Sequence, residues 1–195
     1  MPTTFLWYAT RGAGAVSLVL LSAVVVLGVL SALRVQSTAW PRFLTTGLHR
    51  NIALTAVVFL GLHIVTAVVD PFTHLGWTAA ILPFSSYYRT FWLGLGAVAF
   101  ELLLAIVITS LLRGLIGHSA WRAIHWLAYA SWPVAIIHGF GTGTDAWSVW
   151  FLALSATSVG AVTMASLYRL ISQPPDPRVD AQVRFRGTVS RRELP

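Results

Sequence analysis

LHRNIALTAVVFLGLH, residues 48–63, is apolar enough to lie in hydrocarbon and carries a histidine near each end, His49 and His63. A helix rises about 1.5 Å per residue, so the 14-residue step sets the two imidazoles roughly 20 Å apart along the axis. A second apolar stretch, residues 124–138 (IHWLAYASWPVAIIH), repeats the arrangement with His125 and His138, 13 residues apart. One histidine of each pair then lies toward each face of a bilayer. Two such helices side by side are expected to hold two stacked haems, because a neutral imidazole can ligate haem iron axially. Ligation also gives each ring a partner in hydrocarbon, where an unpaired polar group is costly.

Five runs in the chain reach the roughly 20 residues needed to cross a bilayer. They cover residues 14–33, 45–69, 91–112, 122–141 and 147–171. Of the 195 residues, 56% are hydrophobic and 10% charged, with a mean hydropathy of +0.74. A soluble domain carries about a quarter charged residues, so the expected class is an all-α integral membrane bundle of five helices. Nine tryptophans and five tyrosines suit aromatic belts at two interfaces. The first run is too long for the apolar core of a signal peptide and is kept as a span. Residues 1–171 form the membrane domain, and residues 172–195 a polar tail rich in arginine and proline.

All 13 basic residues are arginine. With the N-terminus outside, Arg34, Arg42, Arg50, Arg113, Arg122, Arg169 and five tail arginines face the cytoplasm, leaving only Arg11 and Arg89 opposite. The positive-inside rule therefore places the C-terminus in the cytoplasm and the chain in the plasma membrane. The net charge of +7 belongs to this topology, with no basic face for nucleic acid. Helices two and four then run in the same direction. His49 falls level with His125 near the cytoplasmic face, and His63 with His138 near the outer one. Cysteine is absent, which excludes disulfides, iron–sulfur clusters and covalent c-type haem.

Winding poses one difficulty. At 100° per residue, 14 residues return within about 40° of the starting face, but 13 residues miss it by about 140°. Pro133, between His125 and His138, is the expected source of irregular winding. Gly47, Gly61 and Gly139 are expected to let a macrocycle approach the backbone, and Phe59, Trp126, Tyr129 and Trp132 to pack on its ring. Arg50 and Arg122 are candidate partners for haem propionates as well as helix-end anchors. His74 and His118 fall in loops and are assigned to no haem. Glu101, the one acid deep in a span, is expected to be protonated and hydrogen-bonded between helices. Asp70 and Asp145 end helices on the outer side.

The two histidine-bearing stretches, with the phrase WRAIHWLAYASWP (residues 121–133), resemble the ferric reductase-like transmembrane domain. That superfamily includes ferric reductases, NADPH oxidases and the haem subunit of bacterial periplasmic methionine sulfoxide reductase systems. The resemblance covers most of residues 10–170. It implies two b-type haems, one on His49 and His125 and the other on His63 and His138. Many members have six helices, and the eukaryotic ones continue into an FAD- and NADPH-binding domain. No glycine-rich dinucleotide fingerprint follows here. The expected function is therefore electron transfer from a separate cytoplasmic flavoprotein, which would bring FAD and NADPH, to an extracytoplasmic acceptor. Ferric chelates, dioxygen or a partner reductase would serve as acceptor, and no catalytic residue is assigned. The alternatives are a quinol-linked cytochrome b anchor and a haem-free membrane scaffold or transporter.

Overall fold

The computed structural model describes residues 2–35, 37, 40–71 and 75–172. His74 and the tail from residue 173 lie outside the described residues. Among these residues the regular elements are helices: α1 (Pro2–Ala32), α2 (Arg42–Val69), α3 (Trp77–Ile81), α4 (Thr90–Leu111), α5 (Arg113–Ile116), α6 (His118–His125), α7 (Ala128–Thr142) and α8 (Val149–Ile171). Four of them are long and apolar enough to cross a membrane: Phe5–Ala32 within α1, then α2, α4 and α8. The buried share of their most apolar windows runs from 11% in α2 to 28% in α1. Val58, Leu111 and Met164 stand 69%, 74% and 73% exposed. Apolar surface on that scale is unstable in water and natural in lipid, so the protein is membrane-embedded.

The helix ends follow from local chemistry. α1 stops where Arg34 turns left-handed (φ 56°). The Arg34 amide donates to Ser31 and that of Val35 to Leu30, which satisfies carbonyls the helix end leaves open. Pro41 precedes α2 in an extended conformation, and the Trp40 indole donates to the Thr45 hydroxyl (2.9 Å). Gly117 adopts φ 78°, which few other residues would tolerate, and lets α5 turn into α6. Ser148 caps α8 by accepting from the Phe151 amide.

Two hairpins make the bundle. α1 packs antiparallel along α2, α4 packs antiparallel along α7, and α8 lies against α1. The fourth expected span, residues 122–141, is divided between α6 and α7 by a tight turn at Trp126 and Leu127. Across this turn Leu127 donates to Ile124, Tyr129 to Trp126 and Ala130 to Leu127, each three residues back. Such 3₁₀ winding advances about 120° per residue, against about 100° in an α-helix. The tighter winding therefore recovers part of the roughly 140° shortfall between His125 and His138. The irregularity thus precedes Pro133, which itself lies inside α7. Proline has no N–H to offer the Tyr129 carbonyl, and its ring crowds that turn, so the tightened winding falls on its N-terminal side.

Candidate functional site

The packing brings the four histidines together in two pairs. The rings of His49 and His125 have their centroids 6.2 Å apart, and those of His63 and His138 6.3 Å apart. Metal–imidazole bonds are about 2.0 Å, and a ring nitrogen lies roughly 1.1 Å from its ring centre, so a metal held in line between two imidazoles sets their centroids about 6.2 Å apart. Both pairs match that spacing. Among the described residues no group of three or more His, Cys, Asp or Glu side chains is placed to hold a metal ion. Two protein donors are too few for a closed zinc site. They suffice for haem, whose porphyrin supplies the other four donors.

Three of the four rings sit in the same kind of seat. His63 Nδ1 donates to the Thr10 carbonyl (2.8 Å), His49 Nδ1 to Val24 (3.0 Å) and His138 Nδ1 to Trp92 (2.8 Å). A carbonyl can only accept, so in each case the proton is on Nδ1 and the lone pair on Nε2. Fixing the tautomer this way is what partners of metal-bound histidines do. Each ring also lies against a glycine four residues after its carbonyl: His63 on Gly14, His49 on Gly28 and His138 on Gly96. A methyl group at Gly96 would come within 2.5 Å of the His138 ring, at Gly14 within 2.9 Å of His63 and at Gly28 within 3.3 Å of His49. These glycines are where ring and helix meet.

The fourth seat is different. His125 Nδ1 is buried without a hydrogen-bond partner among the described residues. Its ring lies on the Trp121 indole, with centroids 5.0 Å apart and planes at 32°. That indole donates to the Ser110 hydroxyl (3.2 Å). Ser110 stands 14 residues after Gly96 on α4, as Gly28 stands 14 after Gly14 on α1. Where the other seats have a glycine, this one has a serine and an inserted tryptophan.

Beside the His63–His138 pair a cavity of about 110 Å³, partly open, runs between α2, α4 and α7. Leu60, Phe100, Leu103 and Ser131 contribute to its wall, and Leu75, Ala79 and Ala80 close it from the α3 side. Its lining is overwhelmingly apolar, as a porphyrin face requires.

Other expected site residues fall elsewhere. Gly47 and Gly61 would meet nothing within 4 Å, and Gly139 faces Phe151. Close approach to the imidazoles is made by Gly14, Gly28 and Gly96. Trp126 and Tyr129 lie beside Arg169, and Trp132 donates to Ser22 (2.9 Å), while Trp121 takes the place against a histidine. Arg50 is exposed about two turns into α2, directly after His49, and Arg122 is exposed in the last turn of α6, three residues before His125. Glu101 is on the exposed face of α4, with no hydrogen bond to a neighbouring helix among the described residues. His118 is exposed beside Trp121. Asp70 is buried at the end of α2, and Asp145 pairs with Arg11, whose guanidinium lies 3.8 Å from the Trp7 ring centre.

Comparison with known proteins adds no name. The chain matches no protein-family model, no curated protein and no solved structure.

Proposed function

We propose that this protein conducts electrons across the plasma membrane through two b-type haems, one on His49 and His125 and the other on His63 and His138. The observation that carries the reading is the pair of imidazole separations, 6.2 and 6.3 Å, at two levels of one apolar bundle. The Nδ1–carbonyl bonds support it, since they leave Nε2 of three rings free to ligate. The resemblance of the two histidine stretches to the ferric reductase-like transmembrane domain, which rests on the same four histidines, points the same way.

A bound b-type haem would supply reversible storage of one electron at each level. The chain's own part is positional. Thr10, Val24 and Trp92 hold three rings through their carbonyls, Gly14, Gly28 and Gly96 let the rings seat, and the apolar lining excludes water. His49 with His125 and His63 with His138 would hold the two groups. The excess of arginine at one end orients the chain with its C-terminus and the His49–His125 pair on the cytoplasmic side. The donor is a flavoprotein or a membrane quinol on that side. The acceptor lies outside and is a ferric chelate, dioxygen or a partner reductase. In this reading α6 and α7 together form the fourth of five spans. Arg50 and Arg122 are near enough to the cytoplasmic end to meet propionates.

The test is an absorbance spectrum of the purified protein. Dithionite should produce b-type α and Soret bands, and extraction should return two haems per chain. A protein without those bands would overturn the proposal in favour of a haem-free scaffold.

A further inference from the structure

A second cavity, about 240 Å³, opens sideways between α7 and α8 over a floor supplied by Val25 of α1. Tyr129, Trp132 and Pro133 form one wall, and Thr163 and Ser166 belong to the other. Its depth is fixed by two neighbours. Val25 follows Val24, whose carbonyl holds His49, and Tyr129 is about one helical turn beyond His125. The crevice therefore lies level with the His49–His125 pair and is reached from the hydrocarbon.

Several hydroxyls in these helices bond to the carbonyl four residues back, among them Ser17 to Ala13, Ser22 to Leu18, Thr66 to Leu62, Thr109 to Ala105 and Thr157 to Ala153, whereas Ser155 on α8 is buried without a partner among the described residues. Thr163 and Ser166 make no hydrogen bond among the described residues. At the mouth, Arg169 donates to the Tyr129 hydroxyl, and its guanidinium lies 4.7 Å from the Trp126 ring centre. With its oxygen already accepting, the Tyr129 hydroxyl has its own proton to give. A ligand here must dissolve in hydrocarbon, be flat enough to lie on Trp132 and Pro133, and present oxygen atoms to a row of hydroxyls. A lipid acyl chain meets the first requirement and not the last.

We propose that the α7–α8 crevice binds the ring of a membrane quinol, with Tyr129, Thr163 and Ser166 facing its oxygens and Arg169 positioning Tyr129. The inference rests on the two-haem reading and names its electron donor. Oxidation of a quinol to a quinone releases two electrons and two protons. Two one-electron iron(III) acceptors, as that reading provides, match the electrons, and the protons would leave to cytoplasmic water past Arg169.

The experiment uses the full chain in lipid nanodiscs with a short-chain azidoquinone as photolabel. Label is expected on residues 129–133 and 162–170 and should be displaced by excess unlabelled quinone. Tyr129→Phe should weaken labelling about fivefold, the worth of one hydrogen bond. Thr163→Val, at an exposed position, should weaken it less and guards against loss of folding as the cause. Label spread along all helices, or label that quinone does not displace, would mean partition into lipid and would overturn the site. The two readings separate cleanly. Both b-type bands without displaceable label would remove the crevice site alone. Displaceable label on a protein with no b-type band would remove the two-haem reading, and with it the quinol's role as donor.

Discussion

The two histidine pairs share a spacing and differ in how they are held. At the His63–His138 level both rings are fixed by a backbone carbonyl and a glycine. At the His49–His125 level one ring is fixed that way, and the other rests on Trp121 with its Nδ1 unbonded. An imidazole whose Nδ1–H is hydrogen-bonded is a more basic ligand and favours the oxidised metal. Geometry thus sets the two levels equal, while their surroundings make them electronically unequal.

The most severe way to break this comparison is to remove one ligand from each level in turn. His138→Ala should lower haem content from two per chain to one, and His125→Ala should do the same with loss of the other haem. Full retention of two haems in either variant, measured by pyridine haemochrome, would show the pairing to be wrong.

A glycine series probes the seats more gently. The methyl contacts of 2.5, 2.9 and 3.3 Å at Gly96, Gly14 and Gly28 predict that Gly96→Ala harms most and Gly28→Ala least. Overpacking of this kind costs about 1–3 kcal/mol. Thermal loss of the Soret band should therefore fall in temperature in that order, and any other order would count against the seats as described.

Redox titration then reads the inequality itself. The His49–His125 haem should titrate at the higher potential by about 60 mV, a tenfold effect for one electron. Two indistinguishable midpoints would sink the claim. Smallest of all, Asp145→Asn removes the partner of Arg11 beside the outer level. Both side chains are partly exposed, so the loss of stability should be no more than about 1 kcal/mol.

How much of this is legible in the chain depends on the kind of contact. The depth of each histidine follows from helix rise and apolar length, which are local, and the structure brings His49 to His125 and His63 to His138. The seats depend on which helix lies beside which, and residue counting within one helix does not reveal that. Gly14 and Gly28 nonetheless carry a signal, since they repeat the 14-residue step of His49 and His63 on the preceding helix. The winding near Pro133 illustrates the remaining limit. Proline marks that a helix departs from regularity, but the direction and extent depend on how the preceding turn repacks. Glu101 is a harder case, because its exposed position on α4 follows from packing that its apolar neighbours do not disclose.

The α1–α2 hairpin has a consequence for biogenesis. It is translated before α4, α7 and α8, and it carries two complete half-sites, His49 on Gly28 and His63 on Gly14, with their carbonyl partners. Neither half-site needs α4, α7 or α8 to be oriented. Insertion of this hairpin would present two aligned imidazoles before the opposing ligands have been translated, so cofactor capture would wait on α6 and α7 closing over an already graduated ruler.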